Sequence, residues 1–460
     1  MNNNDIISIF NRQKDFFLKG GTRDIKYRIM MLQKLKQVIN KNQDAILAAL
    51  HEDMRKPATE AYISEIYLVQ REIEIALKKI KEWSTPVKVA TPPVLFKASS
   101  WLYPEPYGVA LIISPWNYPF QLLIDPLVGA VAAGNCAVLK PSELSPATSS
   151  LIARIISETF DPSYIAVVEG GINESSTLLS LQFDYIFYTG STAVGKVVMK
   201  AAAENLVPVT LELGGKSPCI VDKDADLAVA ARRIVKGKFF NAGQTCIAPD
   251  YLYVHRDIKK DLLDVIISVI AESYGSDPSL SSAYARIIND RHHARLAGIM
   301  KGSFITGGTV KKDERYIAPT LIGSVTWNDP IMQEEIFGPI LPVLDFENLD
   351  DVIREINSRP KPLALYYFSR DKKQQEKILT RTSSGGVCIN DTMEQIVSEY
   401  LPFGGVGASG MGSYHGRASF DTFTHTKSVL KKSFYFDVKM KYAPYRLAFK
   451  TMKKLLSLIS

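Results

Sequence analysis

Apolar residues recur at helical spacing between Asp24 and Trp83, as in Ile25, Ile29, Leu32, Leu35 and Ile39 with Lys, Arg and Gln among them. That pattern predicts two or three amphipathic helices. The character then changes. Pro86, Pro92, Pro93, Pro104 and Pro106 stand among the β-formers Val87, Val89, Val94, Leu95 and Tyr103, so 84–106 is expected to form an edge or an excursion, not a central strand. Short apolar runs follow at 108–113, 136–139, 165–168, 185–188 and 207–211, separated by helix-period segments. Strands alternating with helices predict a parallel, doubly wound α/β sheet of the nucleotide-binding kind. A second α/β region is expected over 216–409, with strands at 219–221, 251–254, 363–368 and 386–390. The Gly-rich stretch 403–412 marks backbone that turns sharply or approaches something closely.

Composition narrows the class. The 460 residues are 46% hydrophobic and 22% charged, with a mean hydropathy of −0.01. Those are values of a folded chain with two to four domains or lobes, which sets aside disordered, collagen-like and disulfide-scaffold classes. The net charge of +7 is a mild excess, and with no RRM-like, zinc-finger or helix-turn-helix pattern beside it no nucleic acid partner is expected. Cys136, Cys219, Cys246 and Cys388 are scattered without a C-x-x-C pair, which fits a reducing compartment. No basic-then-apolar leader and no apolar run of about 20 residues is found, so a cytoplasmic location is expected.

Four segments carry candidate chemistry. Gly190-Ser191-Thr-Ala-Val-Gly195-Lys196 follows a strand and opens a helix, where free N–H groups and the helix dipole favour an anion. It nearly spells a P-loop, but Val197 stands where magnesium binding needs Ser or Thr. A dinucleotide pyrophosphate site is preferred to a structural glycine turn, and an NTPase comes last. In 241–251, Cys246 follows Gly-Gln-Thr in a loop between a helix and a strand, where a thiolate can be exposed and activated; alone, it reads more readily as a small buried hydrophobe. Glu212 stands between Leu211 and Leu213 before a Gly-Gly turn, and partial desolvation there makes a general base; alone, it is as readily a solvent-facing acid. Trp116 and Asn117 in 114–119, with Lys140 and Glu143 in 139–143, lie at the C-terminal ends of expected strands, where open α/β sheets bind ligands.

Together with Tyr188-Thr-Gly-Ser191, Leu211-Glu-Leu-Gly-Gly-Lys-Ser-Pro218, Glu334-Glu-Ile-Phe-Gly-Pro339 and the Gly-rich run from Pro402, these segments stand in the order of the aldehyde dehydrogenase superfamily. The chain resembles that family along nearly its whole length, and the Gly243-Gln-Thr-Cys-Ile-Ala-Pro-Asp-Tyr251 sequence resembles its class 3 or fatty aldehyde dehydrogenase branch. The resemblance implies two doubly wound α/β domains with a small β bridging and oligomerisation arm. It also implies oxidation of a small-molecule aldehyde, medium to long aliphatic or aromatic, to the carboxylic acid. Cys246 would attack the aldehyde, Asn117 and the Cys246 N–H would hold the oxyanion, and Glu212 would activate the water that hydrolyses the thioester. NAD is the implied cofactor with NADP tolerated: Lys140 and Glu143 at the adenosine ribose, Gly190 and Ser191 at the pyrophosphate, Glu335 and Phe337 at the nicotinamide ribose and ring, and Trp116 at the channel junction. An acylating enzyme that passes the thioester to coenzyme A is the nearest rival, and Glu212 argues against it.

The implied division is a cofactor domain over 1–84 and 105–214, a catalytic domain over 215–410, and an arm from 85–104 and 411–444. An arm of this kind exposes a sheet edge, so a homodimer is expected. His292 and His293 point about 100° apart on a helix and are taken as surface residues; the proposed chemistry needs no metal. In the tail 445–460, Tyr445, Phe449, Met452, Leu456 and Ile459 form one apolar stripe with Lys450, Lys453 and Lys454 among them. Packing on the body or on a second copy is the plain reading; peripheral contact with an anionic membrane, or a cap on the substrate funnel, is the alternative.

Overall fold

The structure is a computed structural model that describes residues 2–437 and 439–459. Two larger sheets, a three-stranded sheet and a two-stranded ribbon of Val310–Lys311 with Tyr316–Ile317 organise it. The first runs Gly410–Met411, Val209–Glu212, Tyr185–Thr189, Val109–Ile113, Cys136–Lys140 and Ile165–Val167, parallel except for the terminal Gly410–Met411 strand. Val109–Ile112 and all of Cys136–Lys140 are buried, as continuous apolar runs in a sheet covered on both faces must be. The helix Gln121–Ala133 is buried along its whole length and stops at Gly134, whose φ of +98° only glycine adopts freely. Asn135 then accepts the Gly108 N–H through Oδ1 at 2.9 Å and donates to the Phe423 carbonyl at 2.8 Å, tying helix, strand and chain end together.

The second sheet runs Ser303–Thr306, Thr320–Gly323, Ile340–Phe346, Tyr251–His255, Pro218–Val221, Ala364–Phe368 and Gly386–Ile389, parallel except for its first pair. The N-terminal region holds Ile25–Lys41, Gln43–Met54 and a long helix that passes from Ala58–Ala61 through a π-helical turn, Tyr62–Tyr67, into Leu68–Trp83. An earlier helix, Asn3–Leu18, was not expected; it buries Ile6, Ile9, Phe10 and Gln13 and is closed by an Asn2–Asp5 capping box.

The Pro-rich excursion departs from expectation. Ala98–Pro106 is the middle strand of an antiparallel sheet, between Val87–Val89 and Thr424–Lys432. Its prolines are tolerated because Val87–Val89 pairs only with Ser100, Trp101 and Leu102, so Pro104 and Pro106 have a neighbour on the Thr424–Lys432 side alone. Of the C-terminal stripe, Tyr445 and Phe449 are exposed and Met452 is half-buried on the helix Phe449–Ile459, while the Leu456 and Ile459 side chains lie outside the described residues.

Candidate active site

Val109–Ile113 has Cys136–Lys140 on one side and Tyr185–Thr189 on the other, so the strand order reverses there. Loops leaving two such strands diverge and open a crevice at their C-terminal ends. One loop brings Pro115, Trp116 and Asn117, the other Gly190 and Ser191, and both line a cavity of about 370 Å³. Glu212, Cys246, Glu335 and Phe337 complete its wall. A narrower apolar cavity lies beyond, lined by Leu68, Tyr118, Phe240, Ile247, Met393, Ile396, Phe403 and Tyr414. The two cavities share Leu122, Thr189, Glu212, Leu213 and Cys246. One chamber therefore meets the other at a thiol and a carboxylate.

The wall of the first cavity is shaped for a flat, anionic ligand. Ser191 caps the helix Thr192–Glu204, its side chain accepting from the Val194 N–H, and the cap lies beside Gly190, where a Cβ would fall 2.3 Å from the Tyr188 hydroxyl. Trp116 and Phe337 stand edge to face with centroids 5.4 Å apart. At Gly214 a Cβ would fall 1.9 Å from a Glu335 carboxylate oxygen. Helix terminus, aromatic pair and glycine cradle together fit a dinucleotide whose pyrophosphate meets the helix and whose rings meet the aromatics. Lys140 is buried, donates to the Pro141 carbonyl at 2.7 Å and lies 3.7 Å from half-exposed Glu143. Neither lines either of these cavities; both stand at the adjacent strand end.

Electrostatics distinguish the two reactive groups. Glu212 is the last residue of its strand, 3% exposed, and neither carboxylate oxygen has a hydrogen-bond partner among the described residues. Burial holds its pKa well above the usual carboxylate range. Cys246 is half-buried, and its thiol is pushed up by burial and then by the Glu335 and Glu212 carboxylates. The sulfur is thus more covered than the loop position suggests, and burial with two neighbouring carboxylates disfavours its thiolate in the chain alone. Asn117 is 2% exposed and its amide nitrogen donates to the Gln244 carbonyl at 3.0 Å, two residues from Cys246. Glu335 is raised to about 8 by burial and Asp250.

Sequence reasoning missed several supports. Arg295 donates to the Ile336 carbonyl at 2.5 Å, and Asp250 accepts the Ile336 N–H at 2.8 Å, fixing the loop of Glu335 and Phe337. The histidines expected at the surface are not there. His293 is 3% exposed and bonds the Tyr316 carbonyl at 3.1 Å, while His292 faces the first cavity, 5.1 Å from Trp116. The 100° between helical neighbours sends one inward and the other to the crevice.

Comparison with known proteins agrees with this geometry. The aldehyde dehydrogenase family profile matches residues 2–429. A 4,4'-diaponeurosporen-aldehyde dehydrogenase of Staphylococcus aureus is 50% identical over 447 residues, covering 96% of this chain and 97% of that protein. A dimeric NADP-preferring aldehyde dehydrogenase of Mus musculus is 47% identical, covering 93% and 95%. The solved substrate-bound state of Staphylococcus aureus AldH superposes with a TM-score of 0.96 at 49% identity, covering 98% and 99%. The chain belongs to the aldehyde dehydrogenase family, and is an NAD(P)-dependent oxidoreductase that converts an aldehyde to its carboxylic acid.

Proposed function

We propose that Cys246 is the nucleophile, Asn117 the oxyanion donor and Glu212 the general base, acting on a medium to long aliphatic or aromatic aldehyde. The observation that carries this reading is that Cys246 and Glu212 belong to both cavities. The sulfur adds to the aldehyde carbon, forming a C–S bond, and the carbonyl oxygen becomes an oxyanion met by the Asn117 amide and the Cys246 N–H. The cofactor, when bound, supplies a positive ring that favours the thiolate and would accept the hydride as the C–H bond breaks and the oxyanion collapses to the thioester. Glu212 then takes a proton from water as the water adds to the thioester; the C–S bond breaks and the acid leaves. Burial of the unpartnered Glu212 oxygens raises the basicity of its carboxylate, which suits a group that must take a proton from water.

NAD is the proposed cofactor with NADP tolerated. The Glu143 carboxylate disfavours a 2′-phosphate by repulsion, yet its side chain is half-exposed and free to turn aside. The apolar lining of the second cavity supports an apolar substrate tail. The domain division given above is supported by the sheets: 109–212 supplies five of the six strands of the first, 218–389 all of the second, and 87–106 with 424–432 the three-stranded sheet, while Gly410–Met411 joins the first. Homodimerisation is supported by the outer edge of Thr424–Lys432, which has one strand neighbour, and a cytoplasmic location by four free thiols. Peripheral membrane contact through 445–460 is supported by exposed Tyr445 and Phe449 near Lys450, Lys453 and Lys454. The test is NADH and NADPH formation with aldehydes from acetaldehyde to dodecanal, benzaldehyde and 4,4'-diaponeurosporen-aldehyde, beside Cys246→Ala. Turnover that survives in the variant would overturn the assignment, and a sedimentation mass of one chain would overturn the dimer.

A further inference from the structure

The main-chain carbonyl of Asn117 accepts two hydrogen bonds from distant parts of the chain, one from Lys56 Nζ at 3.0 Å and one from Asn241 Nδ2 at 3.0 Å. Lys56 is paired with Glu65, and both side chains are fully buried. Its ammonium lies 4.1 Å from the centre of the Tyr118 ring. The other Glu65 oxygen accepts the N–H groups of Phe120 at 2.9 Å and Gln121 at 3.3 Å, and so caps the helix Gln121–Ala133, whose own N-cap residue makes no side-chain cap. One ion pair therefore grips the loop 117–121 at both ends.

The second donor comes from the Cys246 loop. Asn241 adopts a φ of +54°, its N–H is accepted by a Glu60 carboxylate oxygen at 3.0 Å, and its amide also reaches the Gln244 carbonyl at 3.2 Å. That same carbonyl accepts from the Asn117 side chain. The two loops that carry Asn117 and Cys246 are thus cross-linked through main-chain oxygens. A buried ion pair gains little stability over apolar side chains of the same volume, whereas a donor misplaced by about 1 Å costs on the order of a hundredfold in rate.

We propose that Lys56 and Asn241 are positioning residues of the oxidation, which act through the Asn117 carbonyl to hold the Asn117 amide in register with the Cys246 sulfur. The inference rests on the roles given to Asn117 and Cys246 above. Neither residue touches substrate; each fixes the peptide plane from which the Asn117 side chain departs.

The test uses two variants of the full chain. Lys56→Met combined with Glu65→Gln removes both charges together and leaves an acceptor for Phe120 and Gln121. Asn241→Gly keeps the left-handed backbone and removes the amide. Each is assayed for kcat with hexanal, KM for NAD, and the rate at which iodoacetamide alkylates Cys246, followed by mass spectrometry of its peptide. Alkylation passes through no oxyanion, so a misplaced Asn117 leaves it unchanged. The expected result is a kcat loss of about a hundredfold with KM for NAD and the alkylation rate as in the parent. An unchanged kcat in a folded variant overturns the proposal, and so does a parallel fall of kcat and alkylation. If the double variant does not fold, Asn241→Gly decides alone. Residual turnover by Cys246→Ala in the same assay would instead bring down the catalytic assignment on which the inference stands.

Discussion

Gly243 lies against Gly338 so closely that a Cβ on Gly243 would fall 2.3 Å from the Gly338 carbonyl oxygen and 2.9 Å from that of Lys238. The Gly-Gln-Thr-Cys segment and the Glu-Glu-Ile-Phe-Gly-Pro segment, about ninety residues apart in sequence, are thus packed backbone on backbone. Gly243 also has a φ of +70°. Gly243→Ala is expected to cost about 3 kcal/mol, because both obstacles are main-chain atoms that cannot swing away. Urea unfolding measures the loss, and an unchanged midpoint would contradict the packing.

Glu212→Gln separates the two halves of the reaction. The amide cannot take a proton from water, so hydrolysis of the thioester is expected to slow by about a hundredfold or more, while the first hydride transfer is retained. Stopped-flow absorbance should then show a burst of NADH near one per site followed by slow turnover. Loss of the burst together with the steady rate would place Glu212 earlier in the sequence.

Glu335 contributes to the pH dependence of stability with a definite sign. Its carboxyl is raised from 4.5 to about 8, so the folded chain holds a proton that the unfolded chain releases between those values. The stabilisation is complete below pH 4.5 and is lost as pH rises toward 8. Glu335→Gln is expected to flatten that decline by up to about 4 kcal/mol between pH 5 and pH 8.5. Urea midpoints of parent and variant at the two pH values check it, and parallel slopes would refute it.

A chain ended at Pro444 tests the tail. It is expected to retain hexanal oxidation, because none of the described side chains of 445–460 lines either cavity at Cys246, and to lose binding to anionic vesicles at low salt. Vesicle binding equal to that of the full chain would end the membrane reading.

What the sequence disclosed follows from how local each signal is. Val109–Ile113 and Cys136–Lys140 were legible because strands buried on both faces are apolar without interruption. Ile340–Phe346 was missed; it carries Pro342, which the sheet tolerates because Pro342 pairs with Ile322 while pairing to Tyr251–His255 starts only at Val343. Cys246, Glu212 and Asn117 stood out through ordered motifs, and all three line the first cavity. Lys56, Glu65 and Arg295 did not, since a charged side chain on or beside an amphipathic helix reads as solvated surface until the fold shows what covers it. The histidine pair failed for the same reason.

The placement of Pro104 and Pro106 bears on how many copies of the chain can join. Past Leu102, the side of Ala98–Pro106 turned away from Thr424–Lys432 is open. An uninterrupted strand there would offer a second template for pairing, and a sheet extendable from both sides propagates into fibres. Proline lacks the N–H that such growth requires. With that side blocked and Val87–Val89 only three residues long, the nine-residue Thr424–Lys432 strand is the one long edge of this sheet able to recruit another chain. Growth from one edge ends when two copies meet.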